Sequence, residues 1–240
     1  MNTNKTTARI VGVLFLTATV TYILGSGLIE SILNAPDYLM NVFQNESRVV
    51  IGVLLEFIDA AAVVVIGVLL FPVLKKHNEA IAIGYVGARI IECILLIVAG
   101  ASLLLLIPLS QGYVQAGASN AAYFQISGTL FMAESGLAFQ VAMIALGLGS
   151  LPFCYLLYRS KLVPRAISVL GLIGYAALIA SGSSEIFGYS IGMVLFLPGA
   201  LFEIAFPIWL IVKGFNSSAI VSESAKTDSN ESERMSLSTS

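Results

Sequence analysis

Long apolar runs, each closed by a short polar or basic break, occupy most of the chain between residues 9 and 213. Six of them are long enough to span a bilayer, where about 20 mostly apolar residues cover about 30 Å of hydrocarbon. They fall at about 9–30, 49–74, 80–108, 124–158, 165–186 and 190–213. The fourth is overlong and is expected to tilt, to project beyond the membrane or to break near Pro152. Loops are short except the first and third, so consecutive helices are expected to pack as antiparallel neighbours. The pattern predicts an all-α fold, a six-transmembrane-helix bundle over 1–213. Residues 214–240 are rich in serine, with Glu223, Asp228, Glu231 and Glu233. Such a stretch buries too little surface to fold alone and is expected to be a disordered tail.

Composition agrees. With 58% hydrophobic and only 11% charged residues in 240, the chain cannot cover an ordinary soluble domain. A net charge of −2 gives no reason to expect nucleic acid. The basic residues are instead sorted by side. Lys5, Arg9, Lys75, Lys76, Arg159, Lys161, Arg165 and Lys213 flank one end of the spans, while the opposite loops hold only Arg48 against Glu30, Asp37 and Glu46. The positive-inside rule then predicts both termini in the cytoplasm and outer loops at about 31–48, 109–123 and 187–189. A basic start, an apolar core and Gly25, Ser26 and Gly27 give the first run some likeness to a signal peptide, but it is rather long and no A-x-A-like site follows.

Against this background the charges inside the spans stand out: Glu56, Asp59, Arg89, Glu92, Glu134 and Glu203. An ionisable group at bilayer depth costs at least about 2.5–3.5 kcal/mol on insertion scales, so each is expected to face protein or water and is a candidate functional residue. Glu56 and Asp59 share a face with Gly52, Val63 and Gly67, a polar and small stripe at helical spacing. Arg89 and Glu92 are also three apart and can pair within one helix, with Tyr85 one turn away. Glu134 is expected about 15 Å inside the fourth span, on a different face from Gln140. Glu203 sits near the middle of the sixth, one turn after Gly199 and between Pro198 and Pro207. Five acids against one arginine cannot all stay ionised in a dry core. Protons, a bound cation or an aqueous vestibule must offset the excess.

The remaining inventory is thin. Cys93 and Cys154 are too few for a disulfide framework and are expected at different depths, about 18 and 6 Å from the cytoplasmic face. The sole histidine, His77, lies in a basic loop, so neither a zinc site of the His₃ or His₂Glu type nor a Ser-His-Asp centre can form in the membrane. No G-x-x-x-x-G-K-[ST] phosphate loop occurs. No cofactor is expected. The small-residue spacings Gly84 to Gly87 and Gly171 to Gly174 are what ordinary helix packing uses.

Several segments carry a resemblance. "ARIVGVLFL" at 8–16, "ARIIECILL" at 88–96, "GLGSLPFCYLLYRSKLVPRAISVLG" at 147–171 and "LPGALFEIAFPIWLIVKG" at 197–214 resemble the bacterial membrane proteins grouped as domain of unknown function 4386. The resemblance spans roughly 8–214 and implies a multi-helix membrane fold in the bacterial cytoplasmic membrane, with no assigned activity. It marks Arg9, Arg89, Glu92, Arg159, Pro164 and Glu203 as positions of the family pattern; Glu56, Asp59 and Glu134 are not matched to it. Three functional classes follow from the residues. Favoured is proton- or cation-linked transport or sensing of a small molecule. The others are an accessory membrane protein without turnover and an intramembrane enzyme acting on lipid. Membrane lipids are the expected partners, with a proton, cation or small molecule at the acids. No three-plus-three inverted repeat, the mark of many transporters, is apparent.

Overall fold

The computed structural model describes residues 3–117, 120–189 and 193–216. They form α1 (Thr3–Leu33), α2 (Tyr38–Gln44), α3 (Glu46–Leu74), α4 (Glu79–Leu104), α5 (Leu106–Ala116), α6 (Ala121–Ser160), α7 (Arg165–Ile186) and α8 (Leu197–Val212), with a 3₁₀ turn at Met193–Phe196. Two starts show ordinary capping: the Asp37 carboxylate accepts from the Met40 N–H, and the Asn78 side chain accepts from Ile81 N–H at 3.0 Å. Residues 190–192 of the sixth run and 217–240 of the expected tail lie outside the described residues.

Among the described residues six helical spans are long and apolar enough to cross a membrane. They are α1, α3, α4 continued by α5, α6, α7 and α8 with the end of the 3₁₀ turn. Each packs on the next in sequence, and α8 returns to α1, so the bundle is a closed ring in the order α1, α3, α4, α6, α7, α8. Close approach is made possible by glycines. The Gly52 carbonyl of α3 lies 2.7 Å from where a Cβ on Gly25 of α1 would sit, and the Gly199 backbone of α8 is equally near Gly174 of α7. Gly171, by contrast, meets side chains, Cys154 of α6 and Phe202 of α8.

One expectation needs correction. The first and second outer loops are not plain loops, because α2 lies within the first and α5 fills about half of the second, and the two helices pack on one another. Tyr38 donates to the Gln125 carbonyl at 2.8 Å, and Gln111 donates to Glu46 at 2.8 Å. These bonds tie α2 and α5 to the outer ends of α6 and α3. Of the alternatives for the fourth span, a break at Pro152 is not taken; α6 continues for 40 residues. At 1.5 Å per residue that is about 60 Å, roughly twice the hydrocarbon thickness, so its first turns project past the outer end of α7.

The distribution of side chains is inverted relative to a soluble protein. On α3, Leu54, Ile58, Val65 and Val68 are exposed around the circumference, while Gly52, Asp59, Val63 and Gly67 are buried. Helices that are apolar on the outward face and small or polar inward are what a lipid solvent selects. The apolar core is divided. A large cluster toward the basic end draws on all six spans and holds Phe15, Phe153, Phe202 and Phe206; a smaller one, with Ile29, Val49, Val53 and Leu103, sits at the opposite end. The charged residues lie between.

Candidate functional site

Arg89 is 2% exposed, and its hydrogen-bonding partners come from its own helix. One turn toward the basic end, the Tyr85 hydroxyl accepts from Nε at 3.0 Å and from Nη2 at 2.9 Å. Three residues the other way, Glu92, also 2% exposed, accepts from Nη1 at 2.9 and 3.2 Å. The i−4 and i+3 spacings put both partners on the face that carries Arg89, so α4 alone presets the guanidinium. Its flat faces are used too: the Phe15 ring of α1 is centred 5.6 Å and that of Tyr85 5.2 Å from Cζ. Gly67 of α3 packs beside it, with the Arg89 Cβ at ordinary contact distance from where a Cβ on Gly67 would be.

Two further acids come from other helices. Asp59 of α3 is 9% exposed, and it lies within electrostatic range of Arg89, Glu92 and Glu203. Glu203 of α8 is partly buried, within range of Arg89, with the Tyr175 hydroxyl of α7 close to its carboxyl. Tyr175 is fully buried, and its hydroxyl forms no hydrogen bond of standard geometry. The prolines flanking Glu203 act differently from one another. Pro198 stands in the first turn of α8, where no helical acceptor is lost. Pro207 lacks the N–H that would bond four residues back, which frees the carbonyl of Glu203 itself. Glu203 therefore offers a carboxyl and a backbone acceptor at one place.

Glu56 lies one turn outward from Asp59, about 4.5 Å along α3, with its Cγ beside Gly25 of α1. Tyr22 of α1 is within electrostatic range of Glu56, Asp59 and Glu203, and its ring stacks on Phe139 of α6 at 5.8 Å across the bundle. Glu134 stands apart. It is exposed, and its carboxyl contacts the Ser102 hydroxyl at 2.9 Å. Ser102 is ten residues, about 15 Å, beyond Glu92 along α4. The expectation that Glu134 shares the depth of the other acids therefore fails: the 40-residue α6 carries its early residues beyond the level of Glu92. Gln140 faces α7 at Gly182, away from Glu134 as the helical spacing requires.

On the basic side the centre rests on aromatic rings. Tyr85 stacks on Phe153 at 4.5 Å, Phe153 meets Phe206 edge-on at 5.8 Å, and Phe206 contacts Phe15 and Phe202 at 5.4 and 5.1 Å. Tyr175 closes against Phe202 at 5.5 Å. Among the described residues no three Asp, Glu, His or Cys side chains are grouped so as to hold a metal ion. Cys93 and Cys154 are both free. Tyr22 and Tyr175 are partners that the charge pattern alone misses. Their signal is depth, since tyrosines ordinarily sit at the membrane boundary and these two fall well inside their spans.

Compared with known proteins, the chain matches the family described as domain of unknown function (DUF4386) over residues 10–214. No curated protein and no solved structure matches it significantly.

Proposed function

Because the chain belongs to the DUF4386 family, which carries no assigned activity, we propose from the geometry that it is a transporter or sensor of a small molecule in a bacterial cytoplasmic membrane, driven by proton exchange at the acids around Arg89. One observation carries this reading: Glu92 pairs with a single buried guanidinium, and Asp59 and Glu203, from two other helices, lie within electrostatic range of it. With all four groups ionised, three negative charges against one positive leave an excess of two, which a low-dielectric interior does not tolerate. Protons are the economical counter-charge, because the acids are not grouped as a chelating set. The aromatic layer on the basic side supports entry from the opposite face, where Glu56 and Tyr22 are partly exposed.

Infrared difference spectroscopy of the full chain in lipid, with pH stepped from acid to mildly alkaline, tests the reading. A carboxyl band is expected that Glu203→Gln or Asp59→Asn diminishes. Absence of any protonation change in the wild type would refute proton exchange and leave the acids as structural struts of an accessory protein.

A further inference from the structure

At the basic end, where α6 turns into α7 and α8 finishes, the surface holds an open cavity of about 460 Å³. Lys161, Arg165, Lys213 and Trp209 line it. Among the described residues no acid pairs with any of the three cations. The Arg165 guanidinium is steadied over the Tyr158 ring, 5.1 Å from its centroid. Pro164 opens α7 on the cavity wall without a side-chain cap; its carbonyl accepts from Ile167 N–H at 3.0 Å, which leaves the N–H groups of Arg165 and Ala166 without helical acceptors at the start of a 22-residue helix. A helix N-terminus adds partial positive charge and free donors to the three side chains.

Lys161 closes α6 in an unusual backbone conformation. It is the one non-glycine among the described residues with positive φ, at 56°. That conformation at a helix C-terminus is ordinarily given to glycine, because a Cβ makes it unfavourable.

We propose that this cavity binds the phosphate-bearing headgroup of an anionic phospholipid of the leaflet on the basic side. Its position at the end of the apolar spans favours a lipid over a soluble anion. Beside Trp209, Ile208 and Val212 are 48% and 62% exposed on α8, giving acyl chains an apolar track from the headgroup into the bilayer. Basic pockets between helix ends at the cytoplasmic surface recognise such headgroups by charge and hydrogen bonding. The site is separate from the Arg89 centre and does not depend on the function proposed for it.

Trp209 is the sole tryptophan, so its fluorescence reports on this wall alone. The full chain is reconstituted in phosphatidylcholine vesicles doped with either brominated phosphatidylglycerol or brominated phosphatidylcholine at the same fraction. Quenching is expected to be stronger with the glycerol lipid, its preference falling roughly fivefold for each cation removed by Lys161→Gly, Arg165→Gln or Lys213→Gln. Lys75→Gln with Lys76→Gln, which removes charge from the same face outside the cavity, should leave the preference intact. Lys161→Gly is also expected to melt no lower than wild type, since it relieves the backbone, so its loss of binding cannot be ascribed to unfolding. Equal quenching by the two lipids would overturn the proposal. So would equal loss in the Lys75 and Lys76 variant, which would mean general surface charge. Displacement by millimolar inorganic phosphate would assign the cavity to a soluble anion and overturn the lipid reading.

Discussion

Arg89 shows how much of a buried charge's environment one helix can supply. Tyr85 and Glu92 bind the two ends of the guanidinium fork from four residues before and three after it. Replacing it with alanine strands Glu92, so a loss of about 3–5 kcal/mol is expected, the range for breaking one side of a dry pair. Detergent melts of Arg89→Ala, with partial recovery on adding Glu92→Gln, check this; an unchanged melting point would show that the pair contributes nothing. Arg89→Lys is expected to fall between alanine and wild type, because an ammonium keeps the charge but cannot reach Tyr85 and Glu92 together in plane. Tyr85→Phe removes an oxygen that accepts two bonds from a cation and should cost about 1.5–3 kcal/mol in the same melts. The sequence carries this triad openly, since spacing on one helix is enough to see it. It does not carry the approach of Asp59 and Glu203, because lateral convergence depends on how the helices are arranged in the ring.

At the scale of elements, glycine positions decide how close the helices come. A Cβ on Gly174 would stand 2.7 Å from the backbone N and Cα of Gly199, atoms that cannot rotate away. Gly174→Ala should therefore push α7 from α8 and cost about 1–3 kcal/mol. Gly27 in α1 has nothing within 4 Å, and alanine there should be neutral or gain up to about 1 kcal/mol through helix propensity. Melts of the two variants side by side check the contrast; equal effects would mean that the Gly174 contact does not control the spacing. The spans themselves are legible because length and hydropathy suffice for them. The outer helices α2 and α5 are not, since they are short segments whose stability comes from packing on one another and on α6. Pro152 stays inside α6 for a related reason. A proline ends a helix in water more readily than in a bundle where neighbours hold the chain.

For the whole molecule, the divided core sets a direction. Toward the basic end all six spans pack into one aromatic and aliphatic cluster, whereas the opposite cluster draws on α1, α2, α3, α4 and α5 without α7 or α8. The polar centre is therefore sealed more heavily below than above. Reagents should reach it from the face opposite the lysines. In a background with Cys93→Ala and Cys154→Ala, Lys76→Cys is expected to react with a membrane-impermeant thiol reagent only from the cytoplasmic side, fixing the orientation that the basic residues predict. Glu203→Cys in the same background is expected to react only from the outside. Adding Phe206→Ala removes the ring that Phe15, Phe153 and Phe202 all contact, and should admit the reagent from the cytoplasmic side as well. Labelling of position 203 first from the cytoplasmic side, with Phe206 intact, would show that the aromatic layer is no seal and would reverse the direction of access.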